Sequence, residues 1–139
     1  MNSRFFLPLL LLATTASYAQ LPTNELEGSW EYVSRRMIYP DTVITEALYE
    51  GPAYKILNST HFAFGRQTVF DGMVQEDVFA GGGRYTLVDS VYTEFIEYHS
   101  TSGLVGQVVV FHVRVEKDLW YQRGRLGDHY LEEVMRRVE

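Results

Sequence analysis

The spacing of its turns constrains this chain most. From residue 28 onward, short runs rich in Val, Ile, Thr, Tyr, Phe and Trp are broken by small polar clusters. Asn58-Ser59-Thr60, Asp71-Gly72, Asp89-Ser90, Thr101-Ser102-Gly103, Lys117-Asp118 and Leu126-Gly127-Asp128 are the breaks. No stretch of this part carries apolar residues at the period of a helix. The pattern predicts strands over residues 29–38, 54–57, 61–66, 84–88, 91–99, 107–116, 119–123 and 130–138. Asp71-Gly72 is a hairpin signal, because both residues tolerate positive φ. Many short strands joined by tight turns indicate an antiparallel sandwich or barrel.

Two features favour the barrel. Along residues 91–99 one face carries Tyr92, Glu94, Ile96 and Tyr98, and the other Val91, Thr93, Phe95, Glu97 and His99. Along residues 107–116, Val109, Phe111, Val113 and Val115 oppose Val108, Val110, His112 and Arg114. A sandwich strand has one apolar and one polar face. Mixed faces suit a cylinder whose interior is partly wet or holds a ligand. The second feature is Gly81-Gly82-Gly83 before Arg84. A phosphate loop needs a helix to follow it, and here the next residues are RYTLVDS, which read as strand. The glycines therefore serve a sharp coil of the sheet or a close neighbour. Residues 39–52, YPDTVITEALYEGP, read as a long loop over one end, and residues 21–27 as a short helical turn capped by Thr23 or Asn24.

The first 19 residues have the layout of an export signal. Arg4 precedes the apolar run FFLPLLLLA, and Ser17-Tyr18-Ala19 sets a cleavage point before Gln20. The run is shorter than the roughly 20 residues that span a bilayer. The expected domain is residues 20–139, secreted or periplasmic, with no stable membrane insertion after cleavage. The chain has no cysteine, which excludes disulfides, thiol nucleophiles and thiolate metal sites. Its net charge of −6 argues against nucleic acid as a partner.

Gly28-Ser29-Trp30 opens the first strand, and Arg136 and Arg137 sit in the last. A Gly-x-Trp start of this kind resembles lipocalins and related calycin barrels, where the Trp plugs the closed end under an arginine of the last strand. The resemblance extends through GSWEYVS, KILNSTHFAFG, GGGRYTLVDSVYTEFIEY, LVGQVVVFHVRVEKDLWYQRG and EEVMRRV. Together these look like a family of small secreted bacterial proteins with a lipocalin-like domain, mostly uncharacterised. The resemblance implies an up-and-down antiparallel β-barrel of about eight strands, closed by Gly28, Trp30 and Arg137. It also implies a tryptophan more often than a methionine at the position of Met135.

No catalytic motif is present and none implies a cofactor. His129 and Glu133 share a strand face, but two ligands without a third make no metal site. The expected function is binding of a small apolar or amphipathic molecule inside the barrel. Tyr32, Tyr85, Tyr98 and Tyr121 are the expected aromatic lining, with Glu94, His112, Glu133 and Met135 beside them. Two other readings stand next to it. One is an isomerase, cyclase or hydrolase using Glu94, His112 or Glu133 as acid or base. The other is an interaction or inhibitor module working through the outer surface and the loop at 39–52.

Overall fold

A computed structural model of the protein describes residues 24–47 and 51–138. The expected export segment and its cleavage point lie outside these residues. The elements are β1 (Gly28–Ile38), β2 (Val43–Ala47), β3 (Ala53–Leu57), β4 (His61–Phe70), β5 (Met73–Val88), β6 (Val91–His99), a 3-10 turn (Ser102–Leu104), β7 (Val108–Glu116), β8 (Leu119–Leu126) and β9 (His129–Val138). From β3 to β9 each strand pairs antiparallel with the next, and β9 returns to β1, closing the cylinder. β2 and β3 both pair with the same edge of β1, β2 through Ser34–Ile38 and β3 through Gly28–Glu31. Together they occupy one position in the wall, so the barrel has eight staves. This corrects the expected loop at 39–52: its middle, Val43–Ala47, is β2, whose VIT start has the β-branched content of a strand.

The turns follow local chemistry. Asp71 and Gly72 adopt φ of 52° and 71°, the left-handed pair that a two-residue hairpin requires. Asn58 Oδ1 accepts the backbone N–H of Thr60 at 2.9 Å and of His61 at 2.7 Å, turning β3 into β4. Asn24 makes a similar turn through Leu26 N–H at 2.9 Å, with Glu27 N–H closing on its carbonyl at 3.2 Å. That single turn replaces the helical turn expected at 21–27, whose first residues lie outside the description.

The closed end is packed solid. Trp30 and Trp120 are fully buried and meet edge to face at 5.3 Å, with Tyr92, Leu26 and Met135 buried beside them. Trp30 Nε1 donates to the Leu26 carbonyl at 2.8 Å. The Arg137 guanidinium lies 4.1 Å from the Trp30 ring centroid. The same guanidinium donates to the carbonyls of Glu27 at 2.8 Å and Glu25 at 2.7 Å. One side chain thus stacks on the indole and pins the segment that covers it. Gly28 leaves room for it: a Cβ there would stand 2.9 Å from Arg137 Nη1.

Gly81-Gly82-Gly83 sit inside β5, where the wall coils. A Cβ on Gly81 would meet the rings of His99 and Phe64, one on Gly82 the Tyr98 ring, and one on Gly83 the Phe95 carbonyl. Opposite them β6 carries a bulge, for Gly82 pairs with Tyr98 but Gly83 with Ile96. The extra residue reverses the alternation of β6 beyond Ile96. The crowding is against backbone at Gly83, so Gly83→Ala should cost about 1–3 kcal/mol of stability. Gly103 has open space around its Cβ position, and Gly103→Ala should stay within about 0.5 kcal/mol of wild type. Urea unfolding of the two variants checks this; equal losses would contradict it.

Candidate functional site

Period-2 alternation fixes what the barrel interior contains. In β3, Ala53, Lys55 and Leu57 are buried while Tyr54 and Ile56 are exposed. The strand therefore turns a lysine inward and two large apolar groups outward. Lys55 is 2% exposed and its ammonium binds Glu94 Oε1, itself buried on β6. Four aromatic rings surround that ammonium, with centroids at 4.9 Å (Tyr92), 5.0 Å (Trp120), 5.3 Å (Phe62) and 5.9 Å (Phe111). The ring faces carry negative quadrupole charge and lower the cost of holding a cation away from water. Burial pushes the Tyr92 phenol well above its ordinary range, and the Glu94 charge adds to this.

A second polar cluster lies alongside. The bulge in β1 between Tyr32 and Ser34 shifts the register against β9, and places Arg35 opposite Glu133. Their side chains approach to 3.6 Å. Gln122 Nε2 donates to Glu133 Oε2 at 2.5 Å from the neighbouring strand. Burial raises the Glu133 carboxyl above its ordinary pKa; Glu94 pushes the same way, while Arg35, Lys55 and Gln122 oppose it.

Above these two clusters is a cavity of about 100 Å³. Its floor is formed by buried residues, Lys55, Glu94, Gln122 and Glu133 among them, with Ile96, Val109 and Leu131 between. Its rim is half-buried and more aromatic: Tyr32, Phe64, Phe79, His99, Leu104 and Leu126. Arg66 also reaches the rim, its guanidinium 4.8 Å from the Phe79 centroid.

Of the eight lining residues expected from sequence, Tyr32, Glu94 and Glu133 line this cavity. Tyr85 and Met135 are interior but belong to the closed end. Tyr85 donates to the Asn58 carbonyl at 2.6 Å and accepts from Asn24 at 2.8 Å; Met135 is fully buried in the core. Three others face outward and are corrected. The β6 bulge turns Tyr98 out, 53% exposed, and brings His99 to the rim in its place. His112 is exposed because Phe111 and Val113 take the inner face of β7. Tyr121 lies on the outer wall under Arg114, at 4.3 Å, since Trp120 and Gln122 point inward. A Glu94–His112 acid–base pair is thereby split by the wall. His129 contacts Asp128 at 2.9 Å and the Tyr39 ring at 4.7 Å. Among the described residues no group of three His, Cys, Asp or Glu could hold a metal ion.

Sequence reasoning missed Lys55, Arg35 and Gln122. For Lys55 the one signal was its two-residue spacing from Ala53 and Leu57, masked by the more apolar Tyr54 and Ile56. For Gln122 it was the spacing from Trp120. For Arg35 there was none, because the bulge breaks the alternation.

No protein-family model matches the chain, and no curated protein does. Among solved structures, a lipocalin-like protein from Bacteroides uniformis aligns with a TM-score of 0.51 at 15% identity, covering 83% of this chain and all of that one. An uncharacterised protein from Bacteroides eggerthii has a TM-score of 0.48 at 16% identity, covering 81% of this chain and 98% of the other. A redesigned β-barrel has 0.49 at 17%, covering 82% and 92%. The fold is that of a lipocalin-like barrel.

Two predictions follow from this geometry. Lys55→Met alone strands the Glu94 carboxylate and should cost about 3–5 kcal/mol. The double variant Lys55→Met/Glu94→Gln should recover at least half of that loss, read by urea unfolding; simple additivity would refute the pairing. The second concerns His99. Its Nδ1 accepts the Thr101 N–H at 2.8 Å, and burial, helped by the Arg35 charge, holds its pKa below 6.5. The fold favours the neutral ring, so this contribution is complete above pH 6.5 and is lost as pH falls through the lower folded value. Stability should therefore drop on acidification through that window, and His99→Phe should remove that part of the drop. An unchanged pH profile in the variant would contradict it.

Proposed function

We propose that the protein is an exported binding protein whose barrel takes one end of a small amphipathic molecule. The observation that carries this is the composition of the cavity, with charged and amide groups buried at its floor and aromatic and aliphatic groups at its rim. Polar groups at the base orient a head group, and the rim supplies apolar contact. The volume sets the size. Pockets that engulf a drug-sized ligand run to roughly 300–1,000 Å³, against about 100 Å³ here. A large apolar body does not fit inside. The ligand inserts its polar end, and its remainder lies against Phe64, Phe79 and Leu104. Export is supported by Arg4, the apolar run after it and Ser17-Tyr18-Ala19 before Gln20.

Native mass spectrometry of protein isolated from its own source tests the reading. The expected result is a small-molecule adduct that is lost in Ile96→Phe, which fills the cavity from the floor while sparing the closed end. A protein that emerges without an adduct, and then binds no medium-chain amphiphile in its empty form, would overturn the proposal.

A further inference from the structure

We infer that His99 latches the turn that holds Leu104 at the rim of the cavity, and that protonation of its ring frees the turn and releases the bound molecule. The inference rests on the binding reading above and adds its regulation. The chain between β6 and β7 is lightly held. Its 3-10 turn, Ser102–Leu104, has no buried residue and no side-chain cap. Leu104 is half-buried and lines the cavity. The bonds from Leu104 N–H to the Thr101 carbonyl, 3.0 Å, and from Gln107 N–H to the Leu104 carbonyl, 3.1 Å, stay inside the segment. At its far end Gly106 N–H donates to the Ile96 carbonyl at 2.8 Å. At its near end Thr101 N–H donates to His99 Nδ1 at 2.8 Å. The His99 ring is itself fixed against the rim, its centroid 5.0 Å from that of Phe79 and 5.5 Å from that of Phe64. Segments with few buried contacts open at low cost, so a single bond at one end carries weight.

A backbone N–H only donates. It bonds Nδ1 only while that nitrogen keeps its lone pair, which places the neutral ring's proton on Nε2. In the protonated ring both nitrogens donate, and two N–H groups then face each other across the same gap. The ring has little room to turn, for its Cδ2 stands 2.7 Å from where a Cβ on Gly81 would lie. Thr101 is exposed and is the partner that yields, and Leu104 moves with it. Residues 100–107 contain no titratable group. Burial, and with it the Arg35 charge from β1, disfavours the protonated ring, while Glu94 on β6 favours it. Of the Thr101 backbone groups it is the N–H that faces Nδ1, and a donor there opposes protonation. Arg66 on β4 lies against Phe79, and Lys55 on β3 and Glu133 on β9 line the same cavity. Glu133 also gains a proton on acidification, from a pKa that burial raises. It sits at the floor with Gln122, and the variants below separate it from His99.

The test is an NMR titration of the full chain from about pH 7.5 to about pH 4.5, first without ligand and then with octanol, a probe whose own charge does not change. Without ligand, the Thr101 amide and Leu104 methyl signals should shift with the midpoint of the His99 ring. Signals that stay fixed through that midpoint overturn the latch. With octanol, affinity should fall at least about fivefold through the same midpoint. Two variants separate the latch from the bulk of the ring. His99→Asn supplies an amide oxygen, and Asn side chains accept the N–H two residues on. It should bind octanol within about twofold of neutral wild type at both ends of the range. His99→Phe keeps a ring and loses the acceptor, and should bind at least about fivefold more weakly at both ends. The reverse order overturns the inference and leaves the binding reading standing. So does an acid-induced loss that survives in His99→Asn, which would belong to Glu133. If a variant does not fold, the ligand-free titration of the wild type decides. Octanol that binds at no pH counts against the binding reading, and the ligand-free titration still decides the latch.

Discussion

The ion pair between Lys55 and Glu94 organises the interior of this barrel. It does not run along the wall: β4 and β5 separate β3 from β6 in the sheet, so the contact crosses the lumen. Below it the space is filled by Trp30, Trp120, Tyr92 and Met135. Above it the cavity begins. A buried ion pair adds little net stability over an apolar filling of the same shape, because the gain in Coulomb energy is offset by lost hydration. Its effect is on specificity. Any register of β3 that turned Lys55 outward would leave the Glu94 carboxylate buried alone. Four ring faces around the ammonium reinforce the same register.

Two irregularities in the wall decide which groups reach the cavity. The β1 bulge places Arg35 on the inner face after Tyr32, opposite Glu133. The β6 bulge, set against the three glycines, exchanges Tyr98 for His99 at the rim. Without these single-residue insertions, strict alternation would line the site differently. The glycines that resemble a phosphate cradle in the sequence thus act at one remove from the site. They permit the bulge that sets the rim: β6 backbone occupies the space a Gly83 side chain would need, and the Tyr98 and His99 rings that of Gly82 and Gly81.

The parts of the fold governed by local chemistry were legible in the sequence. The Asp71-Gly72 hairpin follows from two residues that accept positive φ, and most strand boundaries from turn residues at short spacing; the main exceptions are β4, which runs on to Phe70 beyond the expected 66, and β5, which starts at Met73 rather than 84. The meeting of Trp30 and Arg137 was legible only through resemblance, since nothing in a linear chain says that its first and last strands pair. β2 was missed because two prolines flank a strand whose stabilising partner, β1, is a tertiary one. The site was only partly legible for the same reason. Alternation assigns two faces but not which is inside, and in β3 the apolar content of Tyr54 and Ile56 points to the wrong one. Bulges are set by contacts across strands, which no single run of residues displays.

The surroundings of Lys55 can be observed directly. Four rings at about 5 to 6 Å should shift its ε-methylene protons strongly upfield. Nuclear Overhauser contacts should link those protons to the Tyr92 and Trp120 rings. Both are expected, together with ammonium protons that exchange slowly with water. Lysine ε-methylene signals all at their ordinary positions, with no contact from Lys55 to either ring, would show a side chain in solvent and remove the floor on which the site is built.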